Sequence, residues 1–278
     1  CNRFCSYCII PYARGRVRSK PLDQLTEELN QLASKGFKEV VLVGINLSAY
    51  GQEFGINLAD AIEAACAVDG IERVRLSSLE PERMDRHTIE RLAAQPKLCP
   101  QFHLSLQSGC NATLKRMNRH YTAEDYTEIV NDLRNAFDNC AITTDIMVGF
   151  PGETEDEIKE SLDFAKKTAF ARVHVFAYSR RPGTVADKAE NQVPENIKNI
   201  RSKAMIEVTT KTMTDFLNSQ VGRVESVLFE REKNGFYEGY TKNYTHVVVK
   251  SDENLSNKIY DVKITGVQGN KCTAEILK

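Results

Sequence analysis

The chain is 278 residues long, enough for one large core and a small second domain. Its 37 lysines and arginines against 38 aspartates and glutamates carry no overall polyanion-binding footprint, so any nucleic-acid surface has to be local and a DNA partner is not expected. No apolar run approaches the roughly 20 residues that cross a bilayer, which predicts no membrane partner.

The first element is a cysteine loop, Cys1, Cys5 and Cys8, with the spacing C-x3-C-x2-C. Structural zinc takes four ligands in a closed tetrahedron. A [4Fe–4S] cluster has four irons, so three cysteines leave one iron open to a small molecule. The loop therefore reads as an iron–sulfur site, with an incomplete zinc knuckle or unrelated thiols as the alternatives. Tyr7, between the second and third cysteines, either covers the bound group or an adenine ring, or simply packs the loop. Arg14, Arg16, Arg18 and Lys20 follow within seven residues, as a solvated loop or as a grip on substrate phosphates.

Leu22, Leu25, Leu29 and Leu32 recur at helical spacing up to Gly36, and a short buried strand is predicted over 39–43. Helices over 57–68 and 86–94 precede strands over 74–76 and 102–106. Helices over 111–117 and 123–137 lead to a strand over 141–148. Thr154 with Glu157 forms a capping-box pattern opening the next helix, and a strand over 172–178 closes the series. Strands separated by helices in this rhythm predict parallel βα units, in a partial barrel or a doubly wound sheet. In either, ligands gather where strands end. Gly44, Asn46, Glu80, Gln107, Ser108 and Gly149 all fall at such ends, which predicts one shared site, although glycines and turn carboxylates end strands for many other reasons. His103 and His174 lie inside strands and read as packed core histidines.

After Pro194 a polar helix is predicted to about 219. Five short alternating strands follow, over 225–230, 235–240, 246–249, 259–265 and 272–277, as in a small β-barrel of the nucleic-acid-binding type. The division expected is 1–217 and 218–278. Tyr237, Tyr240 and Tyr244 either stack on bases or fill the barrel core. Cys66, Cys99, Cys110, Cys140 and Cys272 are scattered singly, as buried thiols in a reducing, cytoplasmic setting rather than a disulfide framework.

The stretches CNRFCSYCIIPYARGRVRS, KEVVLVGINLSAYG, RLSSLEP, FHLSLQSGCNATLKRMNRHYT, TTDIMVGFPGET and VHVFAYSRRPGT resemble the radical S-adenosylmethionine (SAM) methylthiotransferase family, and the terminal strands resemble its TRAM domain. GIN at 44–46 and the VHVFAYS strand look most like the branch acting on N6-threonylcarbamoyladenosine in tRNA. Arg181-Pro182-Gly183-Thr184 reads more like the N6-isopentenyladenosine branch.

The resemblance implies an α/β fold, a partial (β/α)6 radical SAM barrel followed by a five-stranded TRAM barrel that binds RNA. Cys1, Cys5 and Cys8 would hold a [4Fe–4S] cluster, with SAM on its open iron. Tyr7, Gly44, Asn46, Glu80, Gln107, Ser108 and Gly149 would contact SAM. Reductive cleavage of SAM would give a 5′-deoxyadenosyl radical that takes hydrogen from C2 of adenosine 37, where a methylthio group is installed. The implied partners are the tRNA anticodon loop, gripped by Arg14, Arg16, Arg18 and Lys20, and a reducing electron donor. The first barrel strand and an amino-terminal domain with a second [4Fe–4S] cluster, both usual in the family, are not in this sequence. The expectation is a carboxy-terminal portion that does not complete methylthiolation alone. The alternatives are the isopentenyl branch and a non-catalytic metal-binding module that binds RNA.

Overall fold

A computed structural model describes residues 1–277. After the cysteine loop and a short helix α1 (Ile10–Arg14), the elements run α2 (Leu22–Ser34), β1 (Glu39–Leu42), α3 (Leu58–Ala67), β2 (Arg73–Leu76), α4 (Arg86–Ala93), β3 (Gln101–His103), α5 (Asn111–Arg116), α6 (Ala123–Ala136), β4 (Ala141–Val148), α7 (Glu155–Thr168) and β5 (Arg172–Ala177). The helices start where the side chains dictate. Asn57, Thr122 and Thr154 each cap a helix through a reciprocal capping box, with Asp60, Asp125 and Glu157 as partners.

β1 pairs with β2, and β3 with β4 and β5, all in parallel. Single bridges Val74–Leu98 and Leu79–Leu104 join the two sets, so the wall runs β1 to β5 in chain order. This is the partial α/β barrel expected. One face packs Val40, Leu42, Val74, Leu76, Phe102, Leu104, Ile142, Ile146 and Val148 against the helices, in the main hydrophobic core. The other face is concave and largely polar. His103 and Asp145 are half-buried on it, while Arg172, His174 and Phe176 are exposed. His174 is thus not a packed core histidine: its strand alternates, and its ring falls on the open side.

A 25-residue helix α8 (Glu195–Ser219) leads to β6 (Val224–Lys233), β7 (Phe236–Thr241), β8 (His246–Lys250), β9 (Lys258–Gln268) and β10 (Lys271–Ile276). These close into a barrel of order β10-β8-β7-β6-β9. Val227, Phe229, Tyr237, Val247, Val262 and Ile264 fill it. Tyr237 is therefore core. Tyr240 stacks on Tyr244 (4.6 Å) and on His246 (4.8 Å), and the Arg75 guanidinium lies 4.6 Å over Tyr244, so both rings are committed to a protein column.

Two buried arginines of β2 join this barrel to the wall. Arg73 donates to the carbonyls of Tyr240 (2.9 Å) and Ser226 (2.8 Å). Arg75 donates to Lys242 O (2.9 Å) and makes a bidentate pair with Glu39, both contacts at 3.0 Å. A buried guanidinium is tolerable only when its donors are largely met, and here barrel carbonyls and Glu39 meet all but Arg73 Nε, which has no partner. Replacing Arg73 by Met should therefore lower unfolding free energy by about 3 kcal/mol, read from urea unfolding, and open the 220–223 connection to protease.

Candidate functional site

The cysteine loop is fastened from a distance. Ser6 N–H donates to Met117 O (3.0 Å), its hydroxyl to Arg116 O (2.8 Å), and its carbonyl accepts from Ala186 N–H (2.8 Å). Asn118 Nδ2 donates to Phe4 O at 3.0 Å. Phe4 holds left-handed backbone with φ of 52°, which a bulky residue retains only where surroundings enforce it, whereas Asn118, at φ 58°, is of a type that adopts it readily. Cys5 is buried, and Cys1 and Cys8 are half-buried.

At the centre lies a residue to which sequence reasoning assigned no role. Arg119, with a side chain only 3% exposed, donates to Glu80 Oε2 (2.5 Å), Ser105 O (3.0 Å), Tyr121 Oη (2.9 Å) and Cys5 Sγ (3.3 Å). One guanidinium thus gathers the cysteine loop and the segments following β2 and β3. Burial pulls it down, but Tyr121, Tyr7, Glu80 and Cys5 together hold it well above its ordinary range, so it stays a cation. Its only sequence signal is a lone arginine between two predicted helices, inside MNRHYT.

The predicted strand-end residues behave differently from one another. Glu80 is taken up by Arg119. Asn46 has a buried side-chain oxygen without a hydrogen-bond partner, the kind of atom a ligand satisfies. Gln107 holds φ 73° while its N–H and carbonyl bridge to Asp145 and Met147, a strained position of the sort found at working sites. Ser108 is 1% exposed and its hydroxyl accepts from Cys110 N–H (3.2 Å), within its own turn. Tyr7 packs edge-on against Phe150, with ring centroids 6.2 Å apart, and burial raises its hydroxyl well above the usual range. A Cβ on Gly149 would stand 2.4 Å from Lys198 Cγ, and on Gly44 3.3 Å from Leu47 Cα. A side chain at Gly149 thus collides with Lys198, while Gly44 is merely tight against the turn that follows it.

Arg14, Arg16, Arg18 and Lys20 are all exposed. They line a cleft of about 720 Å³ together with Cys1, Gly44 and Asn46. Lys20 is paired with Glu28.

The radical SAM superfamily model matches residues 1–165. This chain belongs to the radical SAM superfamily. Curated relatives include a tRNA-2-methylthio-N(6)-dimethylallyladenosine synthase of Pelotomaculum thermopropionicum, 38% identical over 96% of this chain and 61% of the relative. A threonylcarbamoyladenosine tRNA methylthiotransferase, MtaB of Bacillus subtilis, is 39% identical over 95% of this chain and 60% of the relative. The chain spans about six-tenths of their length. Among solved structures, the radical SAM methyltransferase TsrM of Kitasatospora setae, with cobalamin and a [4Fe–4S] cluster bound, aligns with TM-score 0.57 and 18% identity over 67% of this chain and 37% of that one. Coproporphyrinogen III oxidase (HemN) of Escherichia coli aligns with TM-score 0.55 and 13% identity, over 87% and 64%. Both share its fold.

Membership brings a [4Fe–4S] cluster and SAM as cofactors, and the donor set fits the cluster. Cys1, Cys5 and Cys8 are free thiols in one clamped loop, with a fixed cation against the middle one. Three thiolates leave one corner iron of a cubane open, whereas a structural zinc is left one ligand short. The other thiols suit no such role: burial pushes Cys140 up to about 12 and Cys66 and Cys272 to about 11. At pH 8 only about one part in a thousand or less of these three is thiolate. Iodoacetamide on the metal-free chain should therefore label Cys1 and Cys8 first, and Cys66, Cys140 and Cys272 only after denaturation, as peptide mass spectrometry will show. Cluster loading should protect Cys1, Cys5 and Cys8 together.

Proposed function

We propose that the chain is the catalytic portion of a tRNA methylthiotransferase that modifies C2 of N6-threonylcarbamoyladenosine at position 37, beside the anticodon. The reading rests first on the relatives, a tRNA-2-methylthio-N(6)-dimethylallyladenosine synthase and a threonylcarbamoyladenosine tRNA methylthiotransferase, which align along nearly all of this chain. When bound, the cluster and SAM supply a carbon radical able to break an inert C–H bond. The chain's part is to clamp the cysteine loop, hold the cofactor at the ends of the strands, and seat the adenine on the concave face away from water.

One observation favours the threonylcarbamoyl branch. His103 Nδ1 lies 3.1 Å from Thr143 Oγ1, while its buried Nε2 has no hydrogen-bond partner. Asp145 Oδ2 stands 3.5 Å from that nitrogen, outside hydrogen-bond geometry, and the His174 ring is 6.2 Å from the His103 ring. On the same face Arg172 and His174 are exposed, and a substituent bearing hydroxyl and carboxylate groups suits such polar side chains. An isopentenyl group leaves them unpaired, at a cost to binding. Exposed Arg14, Arg16 and Arg18, beside the cysteine loop, are the residues proposed to hold the tRNA backbone. The terminal barrel, with nine basic against eight acidic residues from 218 onward, would contribute by shape rather than charge.

Deleting the gene in its cell of origin should remove 2-methylthio-N6-threonylcarbamoyladenosine from tRNA hydrolysates and leave the unthiolated nucleoside. Loss of the isopentenyl product instead overturns the branch, and loss of neither overturns the activity. In the full-length enzyme, His103→Phe should slow turnover of threonylcarbamoyl tRNA by about tenfold or more with unchanged iron content.

A further inference from the structure

Burying a guanidinium is costly, and holding three loops together needs only neutral hydrogen bonds. Arg119 nevertheless places a permanent positive charge against Cys5. Its charge is balanced by one carboxylate, Glu80, and three of its other contacts are Ser105 O, Tyr121 Oη and Cys5 Sγ. The Nη1 to Sγ separation of 3.3 Å is a hydrogen bond to sulfur, formed where little water screens it. On a ligating thiolate, such a donor draws electron density from the cluster and favours the form carrying one more electron. The cation is also fixed in direction: its carbon lies 5.0 Å over the Tyr121 ring, and the Tyr121 hydroxyl reaches the carbonyls of Ser105 and Leu106 at 2.6 and 2.7 Å.

We propose that Arg119 is a positioning residue that sets the reduction potential of the cluster held by Cys1, Cys5 and Cys8, through the N–H it donates to Cys5 Sγ. Glu80 is the counter-charge that limits its pull. This rests on the cluster assignment and goes beyond it, since a mere tether between loops gives no reason for Arg119→Gln and Glu80→Gln to shift the potential in opposite directions.

The test is a redox titration of the anaerobically reconstituted chain, without SAM. Titanium(III) citrate supplies the single electron, and electron paramagnetic resonance reads the reduced cluster, normalised to iron and sulfide content. Arg119→Gln should lower the ratio of reduced to oxidised cluster at fixed potential at least tenfold, a negative shift of 59 mV or more for a one-electron couple. Arg119→Lys, which keeps the charge, should fall between it and the parent. Glu80→Gln, which leaves the cation unopposed, should move the ratio the other way. Ratios within twofold of the parent in Arg119→Gln and Glu80→Gln, at full iron content, would overturn the inference. If Arg119→Gln fails to retain iron, Glu80→Gln decides alone, an opposite shift supporting the inference and no shift overturning it. A parent chain that takes up no iron is a different failure, that of the cluster assignment itself.

Discussion

The candidate site depends on one buried guanidinium meeting four partners at once. Arg119 is the point where the cysteine loop, the carboxylate after β2, the carbonyl after β3 and the tyrosine before α6 come within reach of one another. Each partner alone is an ordinary polar group. Together they make a buried cation stable, because every contact offers negative charge or a lone pair where water is excluded. The parallel wall makes this possible: strands in chain order bring successive strand ends side by side, so residues 80 and 105 meet though distant in sequence.

Most of the architecture was legible in the amino-acid order. Helix and strand periods, the capping box at Thr154 and the five terminal strands each express a local preference that packing did not overrule. The strand ends were legible as places but not as roles. Gly149 looked like room for a ligand, and the direction its missing side chain would take is occupied by Lys198. Ser108 looked like a donor to a ligand, and it caps its own turn. Periodicity cannot report such outcomes, because they depend on which distant side chain arrives. Arg119 was missed for the same reason. Its neighbours come from three other segments, and a single arginine in a turn resembles a solvated one.

The second barrel is held on similar terms. Arg73 and Arg75 reach its carbonyls from inside β2, and Arg75 heads a column running through Tyr244 and Tyr240 to His246. β2 reads as a plain short strand because alternate burial of Val and Arg looks like one wet face. Here that face is dry: Arg73 is 1% and Arg75 3% exposed. The aromatic rings that suggested base stacking belong to this joint, so the two barrels share a packed polar seam instead of a flexible linker.

The fastening of the cysteine loop has a consequence for biosynthesis. Its contacts lie with Arg116, Met117, Asn118 and Ala186, more than a hundred residues further along the chain. Contacts of that span form slowly, and on a ribosome their partners emerge after the loop does. During that interval the three thiols sit on an unclamped segment, open to oxygen and to stray metal ions. The order of synthesis thus leaves the loop to be fixed last, when the wall has closed around it.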